Sequence, residues 1–186
     1  MILAAAHILW LAVVVTMQGW VLHRISWGGV HLELLPGVLV FHALQCRAGA
    51  AVGLALLAGL LADCLSATPL GQSAAMLALV VWVMVRLKEY VFVETFFTHF
   101  MLGLGATLGF LTGTLAGAVA AKGGVHAGGL DPWALAGWSW RNVAAGIGVV
   151  TLAAGLLTPG LYRLTAGALA PFGYRMRRPV EREVRR

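Results

Sequence analysis

Charge is what this sequence has least of. Charged side chains make up 11% of its 186 residues, and acids are the scarcer sign, seven Asp and Glu against thirteen Lys and Arg. A water-soluble domain carries about a quarter charged residues, so this chain is not built to face water on all sides. Apolar residues stand in their place, 60% of the total with a mean hydropathy of +0.88. They fall into runs of roughly 15 to 28 residues, the length scale of membrane spans. An integral membrane protein is the reading.

Cysteine is nearly absent as well. Cys46 and Cys64 have no C-x-x-C spacing. If each ends one of two successive spans, about 17 helical residues hold them roughly 25 Å apart, whereas a disulfide allows about 7 Å between Cα atoms. Patterned chemistry is missing too. The six histidines (His7, His23, His31, His42, His99, His126) form no H-x-x-x-H or H-E-x-x-H pattern, which gives no metal or cofactor expectation. Ser73 in "GQSAA" lacks the second glycine of a nucleophile elbow, because Ala75 stands there. The Gly123-Gly124 and Gly128-Gly129 pairs lack the Lys-Ser/Thr ending of a phosphate loop. No catalytic residue is nominated. The net charge of +6 does not suggest nucleic acid, since most of the excess lies in the tail "YRMRRPVEREVRR" beyond the last apolar run, a juxtamembrane position suited to anionic lipid.

What is present is six apolar segments: Ile2 to Leu22, Leu34 to Cys46, Ala48 to Ala62, Pro69 to Val85, Phe96 to Ala121, and Val143 to about Ala168. The first lacks a basic n-region and an A-x-A-like site, so it is read as an uncleaved span. The second and third are short, and one continuous helix from Leu34 to Ala62 would give five spans instead. That alternative buries Arg47 at a cost of about 2.5 to 3.5 kcal/mol. The expectation is one all-α, six-span bundle over residues 1–170, with a basic cytoplasmic tail at 171–186. Both termini then lie inside, with ten basic residues on the inner side against Arg24, Lys122 and Arg141 outside.

Three features suggest surfaces. Gly105, Gly109, Gly113 and Gly117 recur at four-residue spacing, a helix-packing stripe. Asp131-Pro132 has the form of a helix start, and Trp133, Trp138 and Trp140 suit the headgroup layer as a candidate outer interface. Arg86, Lys88 and Glu89, with Glu94 nearby, are a candidate inner partner contact. Glu33 and Asp63 are expected near the outer surface, solvated at the interface, with Arg24 and Arg141 within reach.

The stretch "LLADCLSATPLGQ" (60–72) reads as a tight outer hairpin. Asp63 ends the third span, Thr68 is a candidate N-cap, Pro69 opens the fourth span, and Gly71 permits close backbone approach. This stretch also resembles the hallmark of the MreD family of bacterial rod-shape proteins, through Leu60, Leu61, Asp63, Ser66, Pro69, Leu70 and Gly71. "LELLPGVLVFHALQCRAG" resembles the family's proline-led second span and basic turn, with Gly37 where the family often has an acid. "VRLKEYVFVETFF", the length and the arginine-rich tail are similar as well. The resemblance implies a non-enzymatic membrane scaffold of peptidoglycan elongation in the bacterial cytoplasmic membrane. Its implied partners are MreC, MreB, and RodA with its penicillin-binding transpeptidase, and no cofactor. It implies a fold similar to the substrate-binding subunit of energy-coupling-factor transporters, and a vitamin-binding uptake subunit is the alternative function.

Overall fold

A computed structural model describes residues 2–20, 26–27, 30–66, 70–88, 96–122 and 140–174. Six α-helices are present among them: α1 (Ile2–Trp20), α2 (Leu35–Gln45), α3 (Ala48–Leu65), α4 (Gln72–Leu87), α5 (Phe96–Lys122) and α6 (Trp140–Leu169). A 3₁₀ turn, Ala170–Phe172, follows α6. Each helix falls on one of the six apolar segments, shifted at its ends by a few residues. Between α1 and α2 lies a small antiparallel hairpin, β1 (Ser26–Trp27) against β2 (Val30–His31), with Ser26 opposite His31. The hairpin was not expected, although the Gly28-Gly29 pair between two short strands is a recognised hairpin signal.

Local chemistry accounts for the boundaries. Pro36 sits in the first turn of α2, where its missing N–H leaves no ladder bond unmade. Arg47 is extended (φ −65°, ψ 147°) and separates α2 from α3, so the segment from Leu34 to Ala62 is two helices rather than one. Pro159 lies inside α6 and removes the ladder bond to the carbonyl four residues before it.

Four helices, α1, α3, α5 and α6, are long and apolar enough to cross a membrane by length and composition. The two others are shorter. At about 1.5 Å per residue, the eleven residues of α2 reach only ~16 Å of a ~30 Å hydrocarbon layer. Every residue of α2 from Leu35 to Leu44 is nevertheless buried, because α1, α3, α4, α5 and α6 all pack around it. Val38, Leu39, Val40 and Phe41 are fully enclosed. Such an all-round apolar helix belongs at the centre of a bundle. The outer faces carry exposed Leu9 and Val13 on α1, Leu56 and Leu57 on α3, and Leu152 and Leu156 on α6. That inverted polarity is the membrane-protein pattern: lipid replaces water outside, and packing and hydrogen bonds hold the helices together.

Candidate functional site: the junction of α3 and α4

The end of α3 and the start of α4 form the best-defined polar arrangement. Gly59 brings the two helices together. A Cβ built there would lie 2.3 Å from the Ala74 Cα and 2.6 Å from its nitrogen, so only glycine fits. This contact sets the first turn of α4 over the last turn of α3. The opening N–H groups of a helix have no partner in their own ladder, and at membrane depth every one must be met internally. Asp63 meets them. Its Oδ2 accepts from the Gly71 N–H at 2.7 Å and from the Ala74 N–H at 3.5 Å, while Oδ1 accepts from the Ser73 N–H at 3.2 Å. A carboxylate there also faces the positive end of the helix dipole.

This corrects two expectations. Asp63 is 3% exposed, so it is a buried cap rather than an interfacial acid solvated by headgroups. The reason is the close approach at Gly59, which delivers backbone donors in place of water. Gly71 does not serve close packing, since no described atom lies within 4 Å of a Cβ built on it. It is glycine because φ is +93°, the left-handed region. Helix α4 accordingly begins at Gln72, and Thr68 and Pro69 lie outside the described residues. Ser66 ends α3 in an extended conformation, its N–H donating to Ala62 O at 3.0 Å, and Leu70 is exposed.

The glycine stripe divides. Gly109, Gly113 and Gly117 run along Val80, Met76 and Gln72 of α4, with built Cβ atoms 3.6, 2.7 and 2.9 Å from those side chains. Two four-residue ladders thus face one another antiparallel, and Gln72 Nε2 also donates to Thr114 O at 3.0 Å. Gly105 is not part of the seam. It is exposed, with no described atom within 4 Å of its built Cβ. The tightest approaches elsewhere went unpredicted: a Cβ on Gly103 would meet the Thr158 side chain at 2.0 Å, and one on Gly37 would meet it at 2.9 Å. Thr158 is thereby the meeting point of α2, α5 and α6. An acid at position 37 would not fit without displacing it.

Of the inner set, Arg86 is exposed, with its guanidinium 5.6 Å from the Trp82 ring centroid. Lys88 has a structural task instead. Its Nζ donates to Ala43 O at 3.1 Å and Cys46 O at 3.2 Å, closing the C-terminal end of α2. Glu89 lies outside the described residues, as do Glu94, Arg24, Trp133 and Trp138, and Trp140 opens α6. Glu33 precedes α2 and accepts from Gln18 Nε2, whose Oε1 accepts from the Leu35 N–H at 2.9 Å. Burial pushes the Glu33 carboxyl up to about 7, against the opposing pull of the Gln18 hydrogen bond.

Three of the histidines, His7, His42 and His99, are brought into one aromatic cluster, which the sequence spacing gave no sign of. His7 and His42 stand edge to face with ring centroids 5.3 Å apart. Phe41 and Tyr174 flank them, and the His99 and Tyr162 rings lie 4.2 Å apart beside Phe41. No protein-family model matches the chain, and neither curated proteins nor solved structures yield a match.

Proposed function

We propose that this chain is a non-enzymatic membrane scaffold of the MreD kind. In this reading it is a subunit of the peptidoglycan elongation machinery that shapes rod cells, placed in the bacterial cytoplasmic membrane with both termini inside. It works with MreC, MreB, and RodA with its penicillin-binding transpeptidase. The observation that carries this reading is the Asp63 cap. Asp63 and Gly71, two of the residues that give the chain its resemblance to the family, join the two helices, with the carboxylate oxygens held by backbone N–H groups. A motif of that kind maintains the shape of a surface. We further infer six membrane passes, with α2 and α4 completing the path between the four longer helices, in a bundle similar to the substrate-binding subunits of energy-coupling-factor transporters.

The test is affinity purification of the full chain in mild detergent, together with depletion in its own host. The expected result is recovery of MreC-like and RodA-like proteins and rounding of depleted cells. Co-purification with a transporter's coupling ATPases, intact cell shape and a growth defect relieved by one nutrient would overturn the scaffold reading in favour of vitamin uptake.

A further inference from the structure

The helices that meet at Gly59 also carry two arginines to one place at their far ends. Contacts at both ends show that α3 and α4 run antiparallel side by side: Gly59 lies against Ala74, and Lys88 Nζ donates to Cys46 O at 3.2 Å, one residue from Arg47. In this register Arg47, twelve positions before Gly59, comes level with Arg86, twelve positions after Ala74. Both arginines are exposed. Arg47 makes no hydrogen bond or ion pair among the described residues. The Arg86 guanidinium lies 5.6 Å from the Trp82 ring centroid and has no acceptor among those residues. The described acids, Glu33 and Asp63, stand at the opposite end, before α2 and in the last turn of α3. Beside the pair the surface is apolar. Leu79, Trp82 and Val83 are 54%, 50% and 42% exposed, and with Arg86 they follow the i, i+3, i+4, i+7 spacing of one helix face. On α3, no described atom lies within 4 Å of a Cβ built on Gly49 or Gly53, so the turns after Arg47 leave room.

We propose that Arg47 and Arg86 form a headgroup site for one anionic phospholipid, whose acyl chain lies along the Leu79–Trp82–Val83 face of α4. A guanidinium presents a planar fork of donors that matches phosphate oxygens bidentately, and two such forks stand here without a counter-charge. Lys88 does not compete for the headgroup, because its Nζ is engaged by Ala43 O and Cys46 O. Trp82 lies one turn further along the same face, and tryptophan favours the headgroup level. A soluble anion would use the arginines and leave the apolar face bare; a lipid uses both. The charge also selects the lipid class. A zwitterionic headgroup brings its own cation to two arginines, whereas a phosphatidylglycerol headgroup brings only negative charge. The inference requires that the chain spans a membrane and does not depend on the complex it joins.

The experiment is native mass spectrometry of the full chain in mild detergent, titrated with phosphatidylglycerol or with phosphatidylcholine of the same acyl chains. One phosphatidylglycerol per chain is expected to stay bound under conditions that strip phosphatidylcholine. Arg47→Gln and Arg86→Gln should each lower the phosphatidylglycerol affinity about fivefold, the effect of one basic residue at a membrane surface. Arg163→Gln removes the same charge from an exposed position on α6, a helix packed on α1, α2 and α5, and should leave the affinity unchanged. If Arg47→Gln does not reach the membrane, Arg86→Gln decides. Equal retention of the two lipids, undiminished affinity in Arg86→Gln, or an equal loss in Arg163→Gln overturns the proposal. Displacement of the lipid by an equal concentration of inorganic phosphate also overturns it, as that would mark a free-anion site. So does loss of a bound acidic protein in Arg86→Gln with the lipid preference intact, which would mark a protein-docking surface instead.

Discussion

Asp63 shows how a residue takes its role from partners eight to eleven positions further on. Asp63→Ala would leave the Gly71, Ser73 and Ala74 N–H groups without an acceptor, and charge-assisted bonds of this kind are worth about 1.5–3 kcal/mol. Thermal unfolding in detergent should register a loss in that range, with α4 fraying first in hydrogen exchange. The two junction glycines should respond differently. Asparagine tolerates the left-handed conformation, so Gly71→Asn should stay close to wild type and Gly71→Val should not. Gly59→Ala, which drives a methyl into the α4 backbone, should lose roughly 1–3 kcal/mol. Glu33 supplies a pH dependence. Its carboxyl binds a proton more tightly folded than unfolded, so its contribution is full below pH 4.5 and falls as pH rises towards about 7. At ~1.4 kcal/mol per unit the upper bound is about 3.5 kcal/mol. Melting curves at pH 4.5 and 7.5 should show this decline in wild type and a smaller one in Glu33→Gln. The motif positions themselves were legible in the sequence. The burial of Asp63 was not, since an acid beside an apolar run reads equally as a solvated end until the neighbouring helix start is known to lie against it.

At the level of elements, the apolar runs and their Pro, Gly and Arg punctuation located all six helices. Packing partners were less legible, because four-residue glycine spacing marks a groove without saying what fills it. Three of the four stripe glycines line α4, and the fourth does not. Gly113→Leu should therefore push Met76 aside and lower the melting temperature by an amount equivalent to about 1–3 kcal/mol, whereas Gly105→Leu should remain within about 0.5 kcal/mol of wild type. Equal effects at both positions would contradict the seam. The packing roles of Gly103 and Gly37 were not legible because neither belongs to a spaced series. Each is required by one threonine more than fifty residues away. Helix α4 carries stabilising charge at both ends, Asp63 at its start and Lys88 reaching from its close to α2. Lys88→Met should loosen the end of α2, seen as faster amide exchange around His42 to Gln45, with little change at the Asp63 junction.

For the molecule as a whole, the proposed topology predicts that reporters fused before Met1 and after Arg186 both show cytoplasmic activity, and an outer-compartment signal at Met1 would reduce the count to five passes. The central position of α2 bears on how such a chain is made. A helix leaves the translocon for lipid when it is long enough to be stable there by itself, and α2, eleven residues long and enclosed on all sides, has no lipid-facing surface to offer. Its integration must wait for α3, α4, α5 and α6, which emerge later from the ribosome and form most of its walls. Nascent chains halted just after Arg47 should therefore remain extractable by alkali in this segment, and those extended past Leu169 should not. Biogenesis of this protein would then proceed from the outside inward, the middle of the bundle being the last part to find its place.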